Sequence, residues 1–204
     1  MLPAILHGII LAFGLILPLG VQNVFVFNQG VSHLRFIQAL PVVVTAALCD
    51  TLLISLAVLG VSVIVLGVPI IETSLMIVGT LFLLYMGYLS WKSTASNPQP
   101  DGEAFSTKKQ IVFACSVSLL NPHAIMDTIG VIGTSSLTYT NTEKVAFTMS
   151  CIAVSWLWFF SLALIGNKVG KLDNSGRFIV AINKASAILM VMTALYLAYG
   201  LLTK

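Results

Sequence analysis

Six apolar runs, each about as long as a bilayer is thick, dominate this chain and leave it few ways to fold. They cover about residues 3–27, 37–66, 69–91, 110–133, 144–165 and 177–202. A helix needs roughly 20 residues to cross the hydrocarbon core. Lipid offers no partner to an unpaired backbone amide or carbonyl, so continuous runs of this length are helices. A transmembrane barrel would show alternating strands of about ten residues, and the sequence has none. Composition agrees: 58% of the 204 residues are apolar, 8% are charged, and mean hydropathy is +1.01. Ten basic and seven acidic side chains cannot make the polar shell of a soluble globule. The expected fold is an all-α, multi-pass membrane protein of six transmembrane helices.

The same arithmetic excludes several function classes. A net charge of +3 with scattered basic residues provides no clustered face for nucleic acid. No Walker-type loop or dinucleotide fingerprint is present, so neither ATP-driven transport by this chain alone nor a cofactor is expected. Cys49, Cys115 and Cys151 lie inside apolar runs without CxxC spacing. They read as small packing residues, neither disulfides nor metal ligands. The start, MLPAILHGII, has no basic stretch before its apolar run, so an uncleaved first span is expected.

The polar stretch 92–109, containing SNPQPDGE, divides the chain into two three-helix halves. The first repeat is 1–92, the linker 93–109 and the second repeat 110–204. LPLGVQNVFVF in run one faces SLLNPHAIMDT in run four, so that Gln22 falls on His123 when Gly20 is set on Asn121. LAVLG (56–60) matches LALIG (162–166), and LLYMGYLSWK (83–92) matches LAYGLLTK (197–204). A duplicated unit with an odd number of spans must lie in opposite orientations, the inverted-repeat plan of many secondary transporters.

Basic residues orient the chain. The loops after runs one, three and five hold Arg35, then Lys92, Lys108 and Lys109, then Lys168, Lys171 and Arg177; the opposite face holds Lys144 and Lys204. The odd-numbered loops and the linker are therefore expected in the cytoplasm, and both termini outside.

Charged residues at the bilayer centre cost roughly 2.5–3.5 kcal/mol or more, so each requires a reason. Asp50 lies in TAALCDTLLIS and Asp127 in NPHAIMDTIG, one in each half. The basic side chain well inside a span is Lys184, which could neutralise one aspartate and not both. Unpaired carboxylates at this depth hold a cationic substrate or carry protons. Pro18 and Gly20 break run one and Pro122 breaks run four, because proline removes a helical donor. Breaks at membrane depth are tolerated where they line a cavity. The half-helix N-termini suit an anionic group and the freed carbonyls an ammonium. Gln22, Asn23, Asn121 and His123 flank the breaks, and His123 could serve as a proton relay.

The segments GLILPLGVQNVFVFNQG (14–30) and LLNPHAIMDT (119–128), with the mid-helix Asp50, resemble the lysine/arginine exporter (LysE) family. The resemblance extends over essentially the whole chain. It implies an inner-membrane exporter that expels amino acids by an antiport driven by the proton-motive force. Val21 stands where that family usually has a second proline, and Asp127 follows the second motif as in the basic-amino-acid branch. The implied cargo is lysine, arginine or an analogue, and the implied partners are protons, the bilayer and a small-molecule substrate. The alternatives are an exporter of metal or other cations or of neutral amino acids on the same scaffold, and an intramembrane enzyme with Asp50 and Asp127 as an aspartyl dyad. Against metal cargo stands the lack of a Cys, His and carboxylate cluster at ligand spacing.

The remaining features read as structural. Trp91 beside Lys92 is an interfacial anchor. Trp156, Trp158, Phe159 and Phe160 read as packing or lipid contact rather than a gate. His7 and His33 lie near span ends and are expected to be exposed. Gly79 and Gly87, with Ser74 and Ser90, offer small faces that serve folding or homodimer formation equally.

Overall fold

The computed structural model describes residues 1–17, 20–60, 69–92, 106–120, 124–125, 128–172 and 177–202. Among the described residues every regular element is helical. The α-helices are α1 (Leu2–Ile16), α2 (Val21–Ser32), α3 (Leu40–Val58), α4 (Pro69–Lys92), α5 (Thr107–Leu119), α6 (Asn141–Leu172) and α7 (Arg177–Leu202). A 3₁₀ turn, Phe36–Ala39, leads into α3, and a π-helical turn, Thr128–Gly133, continues as Thr134–Ser136. Phe36–Val58, Asn141–Leu172 and Asn183–Leu201 are each long and apolar enough to cross a membrane. Leu2–Ile16 and Val21–Ser32 pass the same test only together, as a pair bent by 79° at the break, which makes a fourth span if the pair is one span. The chain is thus an all-helical, multi-pass membrane protein.

Run one breaks where the sequence places the break. α1 ends at Ile16 and α2 begins at Val21 from an N-cap at Gly20, whose backbone is extended (φ −75°, ψ 175°). That conformation is open to any residue, so the helix restart does not require Gly20 to be glycine. Pro18 lies outside the described residues, as do Asn121, Pro122, His123 and Asp127. Run four is interrupted after Leu119, where α5 ends, and helical structure is next described at 124–125 and in the π-helical turn. π-helical turns are rare and recur at functional sites.

Among the helix boundaries that differ from those read in sequence, two have a visible cause. α5 starts at Thr107, three residues inside the expected linker, because the Ser106 hydroxyl accepts the Lys109 amide at 3.5 Å as an N-cap. α6 runs on to Leu172 rather than stopping near Ile165. Its extension GNKVGK looks like a loop but is held by tertiary contact. A Cβ added at Gly166 would collide with the Phe27 carbonyl, and one at Gly170 would come within 2.5 Å of the Val31 carbonyl. The backbones of α2 and α6 therefore touch, as small residues permit between membrane helices.

α6 is the centre of the packing. It runs beside α1, with Gly8 against Phe147, and beside α2, with Gly30 against Ala163. α3 lies antiparallel to α6, so that Val42, Val43, Ala46 and Ala47 meet Phe159, Leu162 and Ala163, while Ile54 and Val58 meet Cys151 and Val154. α5 and the π-helical turn follow α3, with Gly133 against Ala57. α4 and α7 pair chiefly with each other. Gly87 packs on Ala187 and Val191 there, so its small face serves folding within the chain. Val21, Leu83, Met190 and Val117 join this pair to the rest of the core.

Candidate functional site

Gln22 stands in the first turn of α2, immediately after the break, and its Nε2 donates to Asp50 Oδ1 on α3 at 3.0 Å. The Ser155 hydroxyl on α6 donates to Asp50 Oδ2 at 2.5 Å. Three helices thus converge on one partly buried carboxylate. Both donors are neutral. Among the described residues the one ion pair joins the Met1 amine to Glu143, far from Asp50. A carboxylate has about four acceptor positions, and Gln22 and Ser155 occupy two of them. The α2 N-terminus adjoins this carboxylate through Gln22, and its leading amides carry partial positive charge. Such a site accepts a proton or an ammonium at the carboxylate and tolerates an anion at the helix end.

Asn23 does a different job from its neighbour. Its Nδ2 reaches back over the break to the Ile16 carbonyl at 2.7 Å, and its Oδ1 accepts from Trp158 Nε1 at 3.2 Å. It therefore fixes both halves of the broken span to α6. One residue beyond Asp50, Thr51 Oγ1 accepts from Trp156 Nε1 at 3.1 Å, which sets the register of α3 on α6.

Of the residues singled out in sequence, the structure brings Gln22 to Asp50 and places Gly20 and Asn23 at the break itself. Lys184 does not pair with Asp50. Its Nζ sits 5.7 Å from the Trp91 ring centroid at the far end of α4, because the opening turns of α7 lie beside the last turn of α4. His33 is buried, contrary to expectation, and only 6% exposed. Gln110 Nε2 lies 2.7 Å from its Nε2, and Asn167 Nδ2 donates to its carbonyl at 2.6 Å. Gln110 Nε2 also donates to the Gln38 carbonyl at 3.1 Å. It therefore faces the ring as a donor, and the ring proton belongs on Nδ1. Burial holds the His33 imidazole below its ordinary value. His7 is partly buried against Tyr139, with 2.9 Å between Nδ1 and the hydroxyl. Phe159 is core, whereas Trp156 and Trp158 are hydrogen-bonded rather than merely packed.

Ser155 and Trp158 are site residues that sequence reasoning misses. Ser155 is a polar group in the apolar run CIAVSWLWFF, and the burial cost that marks Asp50 marks it more weakly. Asn28 and Asn183, linked at 2.5 Å between α2 and α7, form a further polar tie that spacing alone does not reveal.

Comparison with known proteins shows the family. The family model described as LysE type translocator matches residues 13–201. A Bacillus subtilis (strain 168) protein named "Putative amino-acid transporter YisU" is 56% identical over 97% of this chain and 90% of its own. The arginine exporter protein ArgO of Pectobacterium atrosepticum is 31% identical over 95% of each chain. ArgO of Salmonella paratyphi B is 34% identical over 78% of this chain and 76% of its own. No solved structure matches significantly. A family match over nearly the whole length, on a chain whose broken first helix turns a carboxylate-binding glutamine toward α3, makes this membrane protein a member of the LysE type translocator family, a transporter and not an enzyme.

Proposed function

We propose that the protein exports basic amino acids of the arginine and lysine class in exchange for protons, by alternating access around Asp50 and the break between α1 and α2. The observation that carries this reading is the Asp50 carboxylate, held by two neutral donors with no cation against it among the described residues. A cargo ammonium or guanidinium supplies the missing charge, and its α-carboxylate meets the α2 N-terminus. A proton is the alternative occupant when the cargo leaves, which couples one to the other. Two relatives named as arginine exporters, at 31% and 34% identity, support this cargo class. Asp127, Asn121, Pro122 and His123 belong to the same proposal as the matching half of the site.

Helix pairing supports the inverted repeat within this reading. α1 and α2 lie along α6, as α5 and the π-helical turn lie along α3; α3 pairs with α6, and α4 with α7. Exchanging the two halves of the chain leaves that set of pairs unchanged. Arg35, Lys92, Lys108, Lys109, Lys168 and Lys171 all fall at the end where α2, α4 and α6 finish and α3 and α5 begin, which supports a cytoplasmic location for that end in the inner membrane.

The test is efflux of labelled arginine, with labelled leucine as control, from vesicles under an imposed pH gradient. Arginine efflux should follow the gradient and collapse with a protonophore. Asp50→Asn should insert at normal abundance and lose efflux, since asparagine keeps the size, can accept from Gln22 and donate to the Ser155 hydroxyl, but neither ionises nor balances a cation. Undiminished arginine efflux in that variant would falsify the reading.

A further inference from the structure

Cys49 on α3 and Cys115 on α5 bring their sulfurs to 4.0 Å. Both are free thiols; Cys49 is buried and Cys115 partly exposed. Sequence spacing separates them by 66 residues. They meet because α5 follows α3 in the same direction from the Gln38–Gln110 contact onward. Two sulfurs bound to one metal at about 2.3 Å with a tetrahedral angle stand about 3.8 Å apart. The observed separation is within a few tenths of an ångström of that chord, so the two sulfurs are already spaced as ligands of one metal. A disulfide requires about 2 Å between sulfurs, so the two thiols as placed are not bonded to each other.

We propose that Cys49 and Cys115 form a dithiol site for a thiophilic cation of the zinc, cadmium or copper(I) class, which fastens α3 to α5 when bound. The chemistry balances without an oxidant. The cation displaces one proton from each thiol, two metal–sulfur bonds form, and the two protons leave to water. Water completes the coordination, because no group of three or more His, Cys, Asp or Glu residues able to hold a metal gathers among the described residues. Asp50 is the next residue along α3, yet it faces Gln22 and Ser155 on other helices. The dithiol is therefore a separate site on the same turn of the same helix. A bound cation ties the helix that carries Asp50 to the first half of the interrupted run four. Any alternation that slides α3 against α5 stops.

The experiment uses purified full-length protein carrying Cys151→Ser, a change that keeps a donor for the Gly8 carbonyl. It is titrated with Cd²⁺ alone, and thiolate-to-metal charge-transfer absorption is read. One equivalent should saturate the signal. Adding Cys49→Ser or Cys115→Ser should raise the half-saturating concentration at least tenfold. No signal in the Cys151→Ser protein, or an unchanged titration in either double variant, overturns the site. Should a serine variant fold poorly, maleimide labelling of Cys115 in the Cys151→Ser protein decides the question instead. Cd²⁺ should protect Cys115 and EDTA should reverse it, whereas labelling unaffected by Cd²⁺ overturns the site. These readouts need no transport, so they stand apart from the cargo and coupling proposed above.

Discussion

Asn23 donates across the break to the carbonyl of Ile16, 2.7 Å away, and so closes the gap between two helices that diverge by 79°. The last carbonyls of a helix have no partner within it, and at membrane depth water does not supply one. The same side chain accepts from Trp158, which makes the break a fixed corner rather than a loose joint.

Asn23→Ala should therefore destabilise the protein by about 1–3 kcal/mol, the cost of leaving a buried acceptor unmade. The change would register as a lower unfolding temperature in detergent, together with altered tryptophan emission from Trp158. An unfolding temperature equal to that of the wild type would show that Ile16 finds another donor.

Ser155→Ala should leave the fold in place and weaken transport. It removes one of the two donors to Asp50, and a hydrogen bond to a charged group contributes about 1.5–3 kcal/mol. Arginine efflux at limiting substrate should fall by about tenfold or more, while membrane abundance stays normal. Ser155→Thr, which keeps the hydroxyl, should recover most of the loss. Equal efflux from all three proteins would mean that Ser155 only packs.

The glycines should divide sharply. Gly166→Ala drives a Cβ into the Phe27 carbonyl and should cost about 1–3 kcal/mol or more, because backbone cannot give way as a side chain tip can. Gly20→Ala meets nothing within 4 Å and keeps an ordinary extended backbone, so its effect should stay within about 0.5 kcal/mol. Thermal unfolding of the two variants side by side checks both statements.

Stability should depend on pH through His33. Burial holds its imidazole below the usual value, while the unfolded chain titrates near 6.5. Below about 6.5 the unfolded state binds more protons than the folded one, so stability falls as the pH drops through that value. The loss levels off once the folded-state imidazole also protonates; above about 6.5 the contribution is fully present. Protonation also turns Nε2 into a donor facing the Gln110 donor. Unfolding temperatures of wild type and His33→Asn, compared from pH 7.5 down to 5, should converge in slope above the transition and differ below it. Parallel curves would place the titrating group elsewhere.

Run length and burial cost are local quantities, and the sequence alone determined what depends on them. It set the helical class, the membrane environment, the interruption before Val21 and the choice of Asp50 as a residue in need of a reason. Contacts between helix faces decided the rest. GNKVGK is helical only because Gly166 and Gly170 let α6 lie on the backbone of α2. Ser155 became a partner of Asp50, Asn23 the staple of the break, and His33 a buried group, because α6 and α5 were placed against α2 and α3. Cys49 and Cys115 met for the same reason. Hydrophobic patterning tells a helix to be buried without naming its neighbour; that choice is made by the close packing of particular faces.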